Sequence, residues 1–437
     1  MRKVGCWGNN FDYVHALTDV QAHNTHLTFS KKNNELYLPH GLGRSYGDSC
    51  LNDKGSLLLT RQLDKILHFD RYTGSIICES GVSIETLLNL LVPVGWFVPV
   101  TAGTKFITVG GAIANDIHGK NHHRHGSFGC FVKKIKLLRS NGETLICSRE
   151  QNVSLFYATI GGLGLTGLIL WAEFTLRPIH NPFLFVESTK FSSVNEFFEL
   201  TEAYNAEYEY TVSWIDCLSS GSSFGRGVFM TGNLLPPDPD LIHQSPRGFK
   251  IKVPNVFPNF LLNPLSMHLF NEIYYRKQTH KIKASIMHYD KFYYPLDSLL
   301  HWNHLYGRRG FLQYQCVVPY DGKISPIHEI LNKIVIKKIG SFLAVLKTFG
   351  DISSGGYMSF PKKGVTLAVD FPNTKKTRNF LHQLDEIVVA NGGCVYPAKD
   401  SRMSKESFAK FFPKLPDFIP HIDPKFSSSF WRRVTQE

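Results

Sequence analysis

The sequence predicts a two-domain protein of the α+β class. Three observations carry that expectation. The chain has 437 residues, more than one ordinary hydrophobic core organises. Up to about Pro178 it is rich in Gly, Val, Ile and Leu, with short β-like runs between turns. Beyond that point aromatic residues increase, polar stretches lengthen and helix-like segments appear. With 43% hydrophobic and 19% charged residues, the composition is that of a globular protein.

Residues 35–38 read as a short strand leading into a glycine-rich turn. Residues 75–78 (SIIC) are a β-like run that breaks at Glu79-Ser80-Gly81. Ser83 has the character of a helix N-cap, with Thr86 and Leu87 opening an apolar run behind it. Residues 133–138 and 143–147 flank Ser140-Asn141-Gly142 and read as a hairpin with an Asn-Gly turn. Residues 154–159 read as a helix, and residues 168–176 as a strand ending at Arg177-Pro178. Further on, residues 193–204 and 377–389 have helical patterning. Pro236-Pro237-Asp238-Pro239 marks a loop. Residues 255–270 (NVFPNFLLNPLSMHLF) combine prolines with exposed-looking Phe and Leu; they read as a mobile loop or lid, or else as a buried irregular core segment.

Composition narrows the function. The N-terminus has no apolar core before a small-residue cleavage site, so no signal peptide is expected. The apolar stretches near residues 87–100 and 163–176 are too short to span a bilayer, and Pro93, Gly95 and Pro99 break the first. The cysteines at Cys6, Cys50, Cys78, Cys130, Cys147, Cys217, Cys316 and Cys394 form no C-x-x-C pair and are expected as buried, reduced thiols of a cytosolic protein. Lys and Arg outnumber Asp and Glu by 48 to 36, which suits an anionic partner. No run of five like charges occurs, so a nucleic-acid surface is not expected; a phosphate-bearing substrate or a membrane face fits better.

Four segments could carry chemistry. Gly41, Gly43 and Gly47 sit in a seven-residue stretch that can curl N–H groups around an anion, or form an ordinary tight turn. Small residues dominate residues 101–119, which lets backbone approach a flat cofactor, or another core element, closely. Gly162, Gly164 and Gly167 spell G-x-G-x-x-G, but a helix precedes them and a strand follows, the reverse of a nicotinamide-binding turn. His118, His122, His123 and His125 crowd together, yet Lys120 and Arg124 lie among them and no Asp, Glu or Cys follows at ligand spacing. A basic loop touching phosphate or substrate is favoured there, and no metal is expected.

Together, residues 41–48 (GLGRSYGD), 109–123 (VGGAIANDIHGKNHH), 126–129 (GSFG), 161–167 (GGLGLTG), 310–315 (GFLQYQ), 369–372 (VDFP) and 398–402 (AKDSR) resemble the vanillyl-alcohol oxidase / p-cresol methylhydroxylase superfamily of FAD-binding proteins. Within it they are most similar to the oxidases of polyprenyl-phosphoryl ribose. The resemblance runs from about residue 6 to residue 433. It implies a two-lobed fold: an FAD-binding domain of about residues 1–180, completed by 396–437, and a mixed-sheet substrate domain of antiparallel strands with helices over 181–395.

The resemblance also implies site residues. Gly41, Leu42, Gly43, Arg44, Ser45, Tyr46 and Gly47 would hold the FAD pyrophosphate. His40 is grouped with them, although it precedes the first glycine and should point elsewhere. Gly103, Thr104, Thr108, Gly110, Gly111, Asn115, His118, Gly119 and Ile169 would line the flavin, with Tyr396 from the C-terminal segment. Lys399 would be the first catalytic residue, since a lysine in a dry pocket can have its pKa lowered into the useful range. Tyr293 and Lys347 would assist it. His118, Lys120, Trp214, Gln313, Gln315, Thr366 and Ala368 would meet the substrate.

The implied reaction is oxidation of the 2′-hydroxyl of a lipid-linked ribose phosphate to a ketone. A partner short-chain dehydrogenase would then complete an epimerisation to arabinose for the cell envelope. The implied location is cytoplasmic, peripheral at the inner face of the membrane. Covalent members carry a His at the fourth loop position; Arg44 stands there, so the FAD is expected to be non-covalent. Three positions depart from actinobacterial members: Ala368 replaces a Cys, Thr366 an Asn and His304 an Arg. They leave open another glycosyl carrier, or an alditol or aldonolactone, as substrate on the same fold.

Overall fold

The computed structural model describes residues 1–21, 29, 35–237, 250–254, 263–320 and 326–436. Short apolar runs cut by Gly, Pro and polar turns give the first part of the chain strands and brief helices. Strands Arg2–Lys3, Val14–Asp19, Ser56–Leu59 and Tyr37–His40 form one sheet in that spatial order. Its two inner pairings, made by Ser56–Leu59, are parallel. Tyr37–His40 lies two residues beyond the expected strand and is an edge, where Pro39 costs no ladder hydrogen bond.

A second sheet runs Ile66–Asp70, Ser75–Glu79, Leu168–Thr175, Val132–Leu138, Thr144–Ser148, all antiparallel. The expected hairpin is its last pair, and Gly142 adopts the left-handed conformation its turn requires (φ 87°). Ser83 caps the helix Ile84–Leu91 by accepting from the Thr86 N–H. The G-x-G-x-x-G run joins the helix Val153–Thr159 to the strand Leu168–Thr175, in the order the sequence implied.

The large sheet holds eight strands: Ile282–His288, Phe183–Phe191, Gly227–Leu234, Tyr210–Ile215, Ala344–Phe349, Gly364–Pro372, Phe311–Val318 and Cys394–Val395. Every pairing in it is antiparallel; parallel pairing occurs in the first sheet and in the short pair Ile251–Lys252 with Leu299–Leu300. Strand period separates its faces. Leu312, Tyr314 and Cys316, with Leu346, Leu367, Val369 and Phe371, join one apolar core with Phe197, Ile330 and Leu384 of helices Val194–Tyr204, Pro326–Lys337 and Lys375–Ala390. The alternate residues, Gln313, Gln315, Val345, Lys347, Thr366 and Ala368, turn the other way, toward the first part of the chain. A one-residue slip would exchange the two sets.

The stretch expected as a loop or lid over residues 255–270 divides. Residues 255–262 lie outside the described residues, as does the Asp238-Pro239 half of the proline-rich loop. From Asn263 onward the chain is helical, Pro264–Lys277. Asn263 and Ser266 form a capping box, and Pro264 stands at the first helical position, where its missing N–H costs nothing. The proline that suggested a loop is a helix start.

The C-terminal helices Lys405–Phe411, Leu415–Phe418 and Ser429–Thr435 send Phe408, Phe418, Phe430 and Val434 into the core of the large sheet. Their polar groups bind the N-terminal part. Tyr37 N–H donates to the Lys425 carbonyl at 2.8 Å, and Ser429 N–H to Leu51 at 2.8 Å. Arg433 donates to both oxygens of Asp48 at 2.9 and 2.7 Å and to Asp400 at 3.0 Å. Both carboxylates are buried. Arg433→Met should therefore cost about 3–5 kcal/mol, because it leaves buried Asp48 without its cation and Asp400 with only the more distant Arg402. Urea unfolding followed by far-UV circular dichroism measures that loss; an unchanged midpoint would show the clamp to be dispensable.

Candidate active site

A cavity of about 820 Å³ lies between the glycine-rich segments and the open face of the large sheet. Its size suits a cofactor-plus-substrate site. Of the residues singled out from the sequence, His40 to Tyr46, Gly103, Thr104, Thr108, Gly110, Gly111, Asn115, His118, Gly119, Lys120, Ile169, Trp214, Tyr293, Gln313, Gln315, Lys347, Thr366, Ala368, Tyr396 and Lys399 line it. Gly47 does not. A Cβ there would come within 1.7 Å of the Asp400 carbonyl oxygen, so this glycine permits a chain crossing rather than contact with a ligand. His304 also stands outside the wall, its ring stacked at 5.1 Å on His301, which does line it.

The N-terminal wall is built for close approach. Thr108 caps the helix Val109–Ala114 by accepting from the Gly111 N–H at 3.1 Å. A Cβ on Gly41 would meet that same Thr108 hydroxyl at 2.5 Å, so the loop rides directly on the cap. Gly43 is left-handed (φ 61°). A Cβ on Gly103 would meet nothing within 4 Å, since it faces the open cavity. The Arg44 guanidinium lies 4.3 Å above the Trp7 ring. The hydroxyls of Ser49 and Ser80 are buried on this wall without hydrogen-bond partners among the described residues. Orphaned polar atoms facing one cavity are the signature of a ligand that completes them. Backbone exposed by glycine, a cationic loop residue and unspent hydroxyls together fit a long, flat, phosphate-bearing group.

The sheet-side wall is polar and wired. His118 sits at the centre of it. Lys347 Nζ lies 3.1 Å from His118 Nδ1 and donates to the Gly119 carbonyl at 3.2 Å. The Gln315 amide lies 2.9 Å from His118 Nε2 and 3.3 Å from Thr366 Oγ1. Burial, then the charge of Lys347, hold His118 well below its ordinary pKa. The Gln315 amide nitrogen faces His118 Nε2 and donates to it, so the neutral ring carries its proton on Nδ1, toward Lys347. Trp214 Nε1 donates to Phe342 at 3.0 Å, which fixes the indole as a wall.

Lys399 comes from the C-terminal segment. Its Nζ lies 3.7 Å from the centre of the Tyr46 ring. Burial lowers its pKa to about 7, with Asp370 opposing and Lys347 adding to the shift. Burial brings Lys347 and Lys120 to about 7 as well. Lys120 donates to the Phe292 carbonyl. Three amines near neutrality thus surround one cavity, able to accept a proton or to bind an anion.

Asp370 was not singled out, although it lies in the VDFP string. It follows Thr366 and Ala368 on the same face of its strand, so strand period alone would have placed it beside the site. Its carboxylate accepts from Gln313 Nε2 at 2.7 Å and from the Tyr306 hydroxyl at 3.3 Å. Burial raises it to about 7, against the charge of Lys399. Ser49 and Ser80 were missed too, and nothing in their local sequence marks them. No group of three His, Cys, Asp or Glu able to hold a metal occurs among the described residues.

A family profile described as an FAD binding domain matches residues 11–148. Over 414 residues the chain is 36% identical to the decaprenylphosphoryl-β-D-ribose oxidase of Mycolicibacterium smegmatis, spanning 91% of this chain and 88% of that protein. The chain belongs to this oxidase family. It is an FAD-dependent oxidoreductase of the superfamily that the glycine-rich strings resembled. It is also 29% identical over 373 residues to an uncharacterised protein of Streptomyces coelicolor, covering 81% of this chain and all of that one. A shorter likeness, 36% over 94 residues, links it to cytokinin dehydrogenase 4 of rice (Oryza sativa subsp. japonica), covering 22% of this chain and 17% of that one.

Two expectations follow. A Cβ at Gly111 would already stand 3.2 Å from the Thr108 hydroxyl, so Gly111→Val should give a folded but colourless protein, read by absorbance against circular dichroism. Lys399 is neutral only above its lowered pKa of about 7. If it takes the substrate proton, flavin bleaching should slow as pH falls through about 7. In Lys399→Met that limb should vanish and bleaching slow by roughly 10²–10⁴-fold with FAD still bound. A normal rate in Lys399→Met would remove it from the chemistry.

Proposed function

We propose that this enzyme oxidises the 2′-hydroxyl of a polyprenyl-phosphoryl ribose to the 2′-keto sugar. The observation that carries the proposal is the position of Lys399. Its amine, poised near neutrality, sits at the seam between the glycine-rich wall and the hydrogen-bonding face of the sheet. An alcohol oxidation removes a hydride from carbon and a proton from oxygen, and bound FAD accepts the hydride. The pyrophosphate would rest against residues 41–46, and the flavin against Gly103, Gly110, Gly111, Asn115 and Tyr396.

The protein's own part is to take the proton and hold the sugar. Lys399 accepts the hydroxyl proton, and Asp370 behind it supports the positive charge that results. Gln315 and the His118–Lys347 pair offer a fixed set of donors and acceptors to the remaining hydroxyls. Lys120 supplies a cation toward the phosphate. Trp214 and Tyr293 wall the site and exclude water.

The ketone is the substrate of a second enzyme, a short-chain dehydrogenase that reduces it from the opposite face and gives the arabinose epimer. The carrier is a lipid, so the enzyme works as a peripheral protein at the inner face of the membrane. Among the described residues no helix is long and apolar enough to cross a membrane. The three departures Ala368, Thr366 and His304 support a second reading, in which the same chemistry acts on a different glycosyl carrier.

Anaerobic titration decides between them. Polyprenyl-phosphoryl ribose should bleach the flavin, and free alditols and lactones should not. Bleaching by an alditol or lactone alone would replace the proposed substrate. Acid precipitation should leave a colourless pellet under a yellow supernatant, because Arg44 on Trp7 occupies the place of the linking His. A yellow pellet would show a covalent link.

A further inference from the structure

The helix Pro264–Lys277 is built the wrong way round for a globular surface. Its inner side is anchored by polar groups. Asn271, fully buried, donates to Asp216 Oδ1 at 2.9 Å and to the Ser341 carbonyl at 3.3 Å. Glu272 pairs with Arg226, which is itself 3.0 Å from Asp216. The Tyr275 hydroxyl donates to the Phe191 carbonyl at 3.3 Å. Met267 is its one fully buried apolar side chain.

The outer side is apolar. Leu265, Leu269 and Ile273 recur every four residues and are 78%, 58% and 60% exposed. Phe270 and Tyr274 lie beside them, also exposed. Scattered single hydrophobics need no explanation, but a continuous stripe marks an interaction surface. The stripe is joined to the active site. Phe270 and Tyr274 both reach the cavity wall, Tyr274 packing 4.6 Å from Trp214 and Phe270 5.5 Å from Phe342. On the helix and the strand after it, residues 263–288 carry four Lys and Arg against one Glu. Across the mouth, exposed Ile251 stands between Lys250 and Lys252, with Lys250 Nζ 5.9 Å from the ring of the wall residue Phe106.

We infer that the outward face of the helix Pro264–Lys277 docks on the surface of an anionic phospholipid bilayer. An apolar stripe with a cationic border is the pattern of a helix that lies in the interface plane, its hydrophobic side among the acyl chains. The border is attracted to anionic headgroups, whereas two copies of the same cationic face repel each other. The inference deepens the proposed function, since it sets the cavity mouth at the leaflet that would present a lipid-linked sugar. It does not need that substrate for its test.

The test is flotation of the flavin-loaded full chain with phosphatidylcholine vesicles, with and without phosphatidylserine. The wild type should float with the phosphatidylserine vesicles. The triple variant Leu265→Ser, Leu269→Ser, Ile273→Ser should lose at least about tenfold in vesicle affinity while keeping its flavin. Lys277→Glu with Lys283→Glu should lose the preference for phosphatidylserine. Ile336→Ser, an exposed apolar position on the helix Pro326–Lys337, should change nothing. The inference fails if the wild type ignores both vesicles, or if the triple variant floats like the wild type. It also fails if the wild type is a dimer that the triple variant splits, which would assign the stripe to a second copy. Floating without bleaching by lipid-linked ribose would leave the docking face standing and sink the substrate instead.

Discussion

Arg433 reaches groups that the sequence sets far apart: both oxygens of Asp48, one of Asp400, and the Met403 carbonyl at 2.7 Å. Asp48 closes the glycine loop, and Asp400 directly follows Lys399. The clamp therefore fixes the glycine-rich loop and Lys399 as one unit. Tyr46 N–H donates to the Ala398 carbonyl at 2.9 Å within it. The missing side chain of Gly47 lets the Asp400 carbonyl pass where any Cβ would collide. Arg402, paired with Asp385, ties the same segment to the helix Lys375–Ala390. Lys399 lies on the Tyr46 ring because this wiring leaves it no other place.

The clamp also explains the electrostatics. Paired charges on its outer side are fully spent: Asp48, Asp400 and Asp385 each have an Arg. Among the described residues no carboxylate pairs directly with the amines on the cavity side. Lys399 has an aromatic face beside it, Lys347 an imidazole and a carbonyl, and Lys120 a carbonyl and the Phe292 ring. A cation buried without a close counter-ion gives up its proton more readily. Asp370 is the exception in reach of Lys399, yet Gln313 and Tyr306 already occupy it, and burial raises it to the same region near 7. Burial thus lowers the amine and raises the carboxyl, while each opposes the other's shift by favouring its charged form.

What could be read from the sequence follows from this division. The glycine-rich wall was legible because its chemistry is local: absent side chains show wherever they stand in a string. The hairpin, the cap at Ser83, and the helices near residues 193–204 and 377–389 were legible for the same reason. Gly47 was read as a phosphate contact because its use depends on Asp400, more than three hundred residues away. Ser49 and Ser80 reach the cavity only through the fold, whereas Asp370 was within reach of strand period and only its partners Gln313 and Tyr306 were not. The helix Pro264–Lys277 was read as part of a loop because its apolar residues point outward and its anchors are polar. A pattern that assumes an apolar inner face cannot find it.

The three departures from actinobacterial relatives fall in one part of the site. Thr366 stands opposite Lys347 across the strand pair, and its hydroxyl takes the far side of the Gln315 amide. Ala368 lies opposite Gln315 on the other neighbouring strand, where a small side chain leaves space beside that amide. His304 is outside the cavity wall, with Nδ1 3.2 Å from the Val253 carbonyl and its ring on His301. All three adjoin the Gln315–His118–Lys347 chain or the cavity mouth. Among the described residues no hydrogen bond or ion pair links any of the three to Tyr46, Lys399, Asp370 or Arg433. In the proposed reaction, the groups around Gln315 hold the carbohydrate and those around Lys399 take its proton, so an exchange at the first set leaves the buried charges of the second in place.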